Sequence, residues 1–499
     1  MASLDALLLG RFASLESDVP AAGGFSDSLE VGQVVDEDGA QLDGENLVEG
    51  DLIAASDDAD VIDEGSAETD ELIETTEALE SYLAAARRAS KQGGWTTQEA
   101  TAYHVGIDIA MKKLGADGSA IVPSLESFGS SRERINATAS VENRLTEALR
   151  KIWEAIKRAV NKVYVFVKKW YLKILDGASR LKKRAEAIRK KAENTTGSKK
   201  ENKIRTGVLG QLHIAKAAPS ADKIKSTLDD VAKMVEGLTS TRLTGEYGNA
   251  CESVIEKIQE IADGKLGDVK NHTDATGAIV AASNAMVEVN KSLGNVASDL
   301  GLKKTADVEV AKRAYAGAPS GTKVVTTDEA ELPGGKTVLA IGAIHTSIAN
   351  ATNAENAKEV TAALKYAYKV TFIAKESKKV EIDESKEIET LDTGAVISIC
   401  DGVINFADKV IDYKKGFEQY EKKTKELLSK ADKIKGKDSK SGDNEAEAAN
   451  GAVARTLATG VGAAMRNMGT SITNVINYGM NLSRAALVYA NSSLNQYKD

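Results

Sequence analysis

Apolar residues recur at steps of three and four over most of this chain, and that spacing predicts a mainly helical protein. The longest run is Leu145, Leu149, Ile152, Ile156, Val160, Val163, Val167, Trp170 and Ile174, one stripe on a helix from Asn143 to about Glu193. Its centre, Val163–Val167, is β-branched and aromatic enough to accommodate a kink or a break. Upstream, Leu72, Ile73, Ala78, Leu79, Leu83 and Ala86 predict a helix over 71–89. A second follows over Thr97–Leu114, and Gly115–Ser131 reads as a Gly/Ser/Pro loop. Downstream, helices are expected at 205–217, 219–238, 246–263, 274–299 and 308–316, separated by Gly, Asn and Pro.

The period then changes. Thr322–Thr327 and Thr337–Ile341 are β-branched runs flanking Glu331-Leu332-Pro333-Gly334-Gly335, which predicts a hairpin. Lys369–Ala374 and Val380–Ile382 are two further short strands. Helix resumes over Glu384–Lys435, Gly436–Glu445 is a flexible linker, and Ala446–Tyr497 is one long helix or a helical hairpin. The expected organisation is an acidic piece (1–142), a basic amphipathic helix (143–200), a helical body (201–318), a small β insertion (319–383), a charged helix (384–435) and a C-terminal helical segment (446–499). The fold class is therefore mainly α with a small inserted sheet.

Charge sharpens the first boundary. Residues 1–142 hold 29 acids and 8 bases, leaving 45 acids against 57 bases in the rest, so a whole-chain charge of −9 hides two oppositely charged pieces. Residues 36–68 have too little apolar content to fold alone and read as a disordered acidic tail, while Leu4–Phe12 could dock as a short apolar turn. The N-terminus lacks a basic n-region and an adequate apolar core for export, and no stretch reaches the roughly 18 apolar residues of a membrane span. Asn136, Asn194 and Asn271 are accordingly read as chance glycosylation triplets. Cys251 and Cys400 are two isolated cysteines and give no disulfide framework.

One short pattern clusters. Ser-x-Glu begins at Ser14, Ser28, Ser66, Ser124, Ser131 and Ser140 in the acidic piece, and afterwards only at Ser385. Ala78-Leu79-Glu80 is a relaxed copy. A bond after a small residue, any residue and Glu suits a protease acting on accessible chain. The principal candidate site is Ser140-Val141-Glu142, cut before Asn143, with Glu16, Glu30, Glu68, Glu126 and Glu133 as upstream candidates.

An acidic N-terminal piece ending in Ser-x-Glu, followed by a basic helical body, resembles the processed inner-head proteins of giant tailed bacteriophages. That resemblance rests on residues 1–142 and the junction. It implies a virion protein of the capsid interior, a substrate of the prohead maturation protease, packed beside other inner-core or capsid proteins and double-stranded DNA. It also implies ejection into the host cytoplasm for some members.

The basic helix has three readings: a solvated face, phosphate contact, or an interfacial membrane helix built on Trp153, Phe166, Trp170 and Tyr171. Nucleic-acid contact would fall to Lys157, Arg158, Lys162, Lys168, Lys169, Lys182, Lys183, Arg184, Arg189, Lys190 and Lys191. The acidic piece could cover that surface before cleavage. An effector or membrane-active toxin with an inhibitory acidic pro-region is the alternative from another class.

No enzyme, cofactor or metal is expected. His104, His213, His272 and His345 lack ligand spacing. Gly334-Gly335-Lys336-Thr337 has Ala330 where a phosphate loop needs its leading glycine, so it reads as a hairpin turn. Gly460-Val461-Gly462 lacks the strand of a dinucleotide site.

Overall fold

The computed structural model describes residues 71–239 (apart from 73, 77 and 117), 304–305, 324–326, 331–342, 368–374, 386–414 (with 382–383) and 445–497, plus scattered positions within 249–260 and 418–430. Side chains are described for these except 157, 159–169, 304, 340–342, 368–369 and 445–468. The expected pieces at 274–299, 308–316 and 436–444, and the acidic tail, lie outside the described residues.

The described chain is mainly helical and divides between Ala159 and Val160 into two compact units. The first opens with α1 (78–91, helical also at 71–72 and 74–76) and α2 (Thr97–Lys113). α2 starts with a capping box: the Thr96 hydroxyl accepts from Glu99 N–H while the Glu99 carboxylate accepts from Thr96 N–H. The Thr96 N–H and the Thr96 hydroxyl both donate to the Glu99 carboxylate and hold it below its usual range. The expected loop after α2 contains two 3₁₀ turns, Gly118–Ala120 and Leu125–Phe128.

α3 then runs from Ser131 to Asn194 as one helix. It begins twelve residues before the Asn143 expected from the sequence, and it does not break at Val163–Val167. Ser130-Ser131-Arg132-Glu133 explains the earlier start: Glu133 N–H donates to Ser130 Oγ (3.3 Å) and Ser130 N–H donates to the Glu133 carboxylate (2.8 Å). The stripe is nonetheless the one the spacing selects. Leu145, Leu149, Ile152, Ile156, Trp170 and Ile174 are all buried.

In the second unit four helices share a core: the latter part of α3, α5 (Ala221–Thr239), α6 (Thr393–Asp412) and α7 (Glu445–Leu494). The buried positions step by threes and fours as 170, 174, 178, 181, 185, 188 in α3, as 224, 228, 231, 235 in α5 and as 396, 399, 403, 406, 410 in α6. Contacts Trp170–Asn477 and Lys191–Asn495 make α3 and α7 parallel. Lys182–Asp408 and Arg189–Asp401 make α6 antiparallel to α3, and α5 runs with α6. Gly479 of α7 sits where a Cβ would meet Phe406 at 2.3 Å and Val231 at 2.9 Å. That close approach requires glycine.

Between α3 and α5 a two-residue strand β1 (Lys203–Ile204) comes first, and the expected helix 205–217 is replaced by a single helical turn α4 (Leu209–Leu212) and a tight turn over Ile214–Ala217. Ala215 and Lys216 there have φ of 49° and 65°, incompatible with helix. A four-stranded antiparallel sheet, β2 (Lys304–Thr305), β3 (Val325–Thr326), β4 (Lys336–Gly342) and β5 (Tyr368–Ala374), contains the expected hairpin and one of the two further strands. Val380 and Glu381 are outside the described residues. Residues 388–389, read as helix, instead form β6 (Ile388–Glu389) paired with β1, and α6 starts only after the Asp392 cap. Ala446–Tyr497 resolves into the single helix α7 rather than a hairpin.

α7 binds backbone as well as core. Ser471 Oγ accepts from Val370 N–H (2.9 Å) and the Asn474 amide donates to Val370 C=O (3.1 Å) at the edge strand β5. Further along, Ser493 Oγ accepts from Leu391 N–H, and Tyr478, Tyr489 and Tyr497 donate to the carbonyls of Pro333, Glu389 and Leu391.

Candidate functional site

The junction Ser140-Val141-Glu142-Asn143 lies inside α3, in the first unit. Three contacts fix its surroundings. A Cβ on Gly94 would meet the Arg134 and Ile135 backbone, Trp95 N–H donates to Thr138 Oγ1 (2.8 Å), and the Arg87 guanidinium pairs with Glu142 (3.2 Å). Position numbers fall from 94 to 87 on one side while they rise from 134 to 142 on the other. α1 therefore lies antiparallel to the start of α3, and both carry buried faces: Leu79, Leu83 and Ala86 on α1; Ala137, Val141 and Leu145 on α3.

Each position of the motif has its own setting. Val141 is 0% exposed, Ser140 and Glu142 are half-buried, and Asn143 is exposed. The carbonyl of the candidate bond, Glu142 C=O, accepts a hydrogen bond from Thr146 Oγ1 at 2.9 Å. Just beyond it, Arg144 donates to Ala120 C=O (2.8 Å), which ties α3 to the first 3₁₀ turn.

The neighbouring motifs differ. Ser124, Leu125 and Glu126 are all exposed on the second 3₁₀ turn, and Ser131, Arg132 and Glu133 are exposed on the first turn of α3. The Glu133 carboxylate is held below its usual range by the Ser130 bonds. Glu16, Glu30 and Glu68 lie outside the described residues. Arg87, Trp95 and Thr138, which hold the junction, had no signal in the sequence. Ser130 did, as the first member of a Ser-x-x-Glu capping box.

The basic face is partly spent on the protein itself. Lys182 pairs with Asp408 at 2.7 Å, which raises its pKa, and Arg189 pairs with Asp401 at 2.9 Å and Glu193 at 3.4 Å. Lys191 donates to the Asn495 side chain. Arg158, Lys183 and Lys190 are exposed, Arg184 is half-buried and has an interaction of its own, and the side chains of Lys157, Lys162, Lys168 and Lys169 lie outside those described. Three aromatics of the interfacial reading are buried, Trp153 at 6%, Trp170 at 0% with its indole N–H on Asn477, and Tyr171 at 2% against Tyr413, and the Phe166 side chain lies outside those described. No helix among the described residues is long and apolar enough to cross a membrane.

The weak enzyme motifs find ordinary uses. Gly334 N–H and Gly335 N–H both donate to His213 C=O, so the Gly-Gly-Lys-Thr turn directs its amides into the protein. Its φ values of 77° and 64° mark a tight turn, as the sequence predicts. Gly460-Val461-Gly462 lies within α7. Cys400 is fully buried, and burial pushes its thiol up to about 12, away from thiolate chemistry at neutral pH. Cys251 is outside the described residues. Among the described residues no group of three His, Cys, Asp or Glu side chains is placed to hold a metal.

No curated protein and no solved structure matches the chain. Residues 37–492 match the family of phiKZ-like phage internal head proteins, from within the acidic tail almost to the end of α7. A match over most of the length, joined to a mainly helical fold, makes this chain a member of that internal head protein family.

Proposed function

We propose that this internal head protein is made as a precursor, cut after Ser-x-Glu by the prohead maturation protease, last after Glu142, and that residues 143–499 remain in the capsid beside the packaged DNA. The observation that carries this is the clustering of six Ser-x-Glu motifs in residues 1–142, the last at the point where charge reverses. Hydrolysis adds one water across the Glu142–Asn143 amide and leaves a carboxylate on Glu142 and an amine on Asn143. It separates a piece of about −21 from one of about +12.

The physical role follows from that separation. A tethered polyanion competes with DNA phosphates for Lys and Arg, and its loss frees a body with sequence-independent, salt-sensitive affinity for duplex DNA. Arg158, Lys183 and Lys190 are the exposed cations best placed to contribute. Lys182 and Arg189 already have acidic partners and would contribute less. A body held against the genome by such contacts is carried out with it when the head empties, the extension of this reading to ejection.

Peptide mass spectrometry of the protein from native particles tests the core of the proposal. The expected result is a semi-specific peptide beginning at Asn143 with 1–142 missing. Continuous coverage through Glu142 in mature particles overturns it.

A further inference from the structure

We infer that the fold of the first unit sets the order of processing: the bond after Glu142 is protected by the native packing and becomes cleavable only after the outer sites have been cut or the unit has opened. This rests on the processing reading above and adds to it a rule of sequence. A protease needs several residues of extended, accessible chain in its cleft.

The Glu142–Asn143 bond does not offer that. It sits twelve residues into α3, between Val141 and Leu145, both 0% exposed. Its glutamate is paired to Arg87, and its carbonyl is bonded by Thr146. Presenting it means unwinding the turns on both sides, pulling Val141 and Leu145 out of the core and breaking the Trp95–Thr138 and Arg144–Ala120 bonds. Cleavage of such a bond follows the population of the opened state.

The two preceding sites have no such barrier. Ser124-Leu125-Glu126 is exposed on a 3₁₀ turn, with Leu125 38% exposed although it is a leucine. Ser131-Arg132-Glu133 is exposed where α3 begins, and the carboxylate there does no more than cap the helix. A cut after Glu126 unlinks α1 and α2 from α3. A cut after Glu133 removes the Ser130–Glu133 cap and leaves a frayed first turn. Each outer cut therefore weakens what hides the inner bond.

The test separates this rule from the identity of the processing enzyme. Full-length protein is digested with a general glutamate-specific endoproteinase, and each new terminus is timed by mass spectrometry. Cutting after Glu126 should precede cutting after Glu142 by at least about tenfold. Glu126→Gln with Glu133→Gln should delay the inner cut further. Arg87→Ala should accelerate it by roughly threefold without changing the rate after Glu126. Trp95→Ala, or urea sufficient to melt the first unit, should bring the two rates together, so a variant that fails to fold still reports on the gate. Equal rates in native buffer, or an inner rate indifferent to both the outer sites and urea, overturn the inference. An unprocessed N-terminus in particles would defeat the proposed function while leaving this order intact, so the two fail separately.

Discussion

α3 takes part in two units, and its two halves are held in different ways. In the first unit its partners are close in sequence: Trp95 to Thr138 spans 43 residues, Arg87 to Glu142 spans 55 and Ala120 to Arg144 spans 24. In the second, Lys182 reaches Asp408 across 226 residues, and Trp170 reaches Asn477 across 307. Contacts of low sequence separation can form and dissolve without the rest of the chain, whereas long-range ones require both ends to be present. The described part of the first unit is thus closed by contacts of short sequence separation, while the second is closed by its own C-terminal helix.

The sharpest way to break this comparison is to remove one buried tryptophan from each unit. Trp170→Ala and Trp95→Ala should each cost roughly 3–5 kcal/mol. In urea monitored by near-UV circular dichroism, each variant should shift one transition and leave the other in place. A single transition shifted by both would make the two units one cooperative body. Next in size is Ser471→Ala, which leaves the buried Val370 N–H without its acceptor and should cost about 1–3 kcal/mol in the second unit.

The smallest effect concerns pH. The Glu252 carboxylate accepts from Lys423 and Lys430, and those bonds lower its pKa from 4.5 to about 2. A depressed folded-state pKa stabilises above the unfolded value and is lost as pH falls through the window from about 4.5 to 2. Wild type should therefore exceed Glu252→Gln in stability at pH 7, and the gap should shrink by pH 3. A gap unchanged with pH would sever those side chains from the body's stability.

Much of the second unit could be read in the sequence because its helices repeat apolar positions at threes and fours. The helix over 219–238 is expected from the sequence and Ile224, Leu228, Val231 and Val235 are its buried positions, and the stripe from Leu145 to Ile174 is the face that α3 buries wherever its side chains are described. The errors sit where local chemistry outweighs periodicity. Ser130-x-x-Glu133 is a capping box that overrides a boundary drawn from the charge reversal, since a helix begins where its first N–H groups find acceptors rather than where the net charge of the chain changes sign. Residues 205–217 look helical by composition, yet Ala215 and Lys216 adopt left-handed φ to turn the chain against Gly334 and Gly335. At the junction the motif itself was legible, but its setting was not. Nothing in Arg87 announces Glu142, and the burial of Val141 depends on helices that only tertiary structure brings together.

The antiparallel seating of α1 on α3 also bears on what a cut at Glu142 would leave behind. The seam is divided unevenly by that bond: Ala137 and Val141 depart with the acidic piece, while Leu145, Leu149, Ile152 and Ile156 stay. The trimmed protein would begin with Asn143, a residue well suited to start a helix, followed at once by four turns of oily surface stripped of its former cover. Processing would then do more than discard ballast. It would turn an inward-facing seam into an apolar leading end on the trimmed protein.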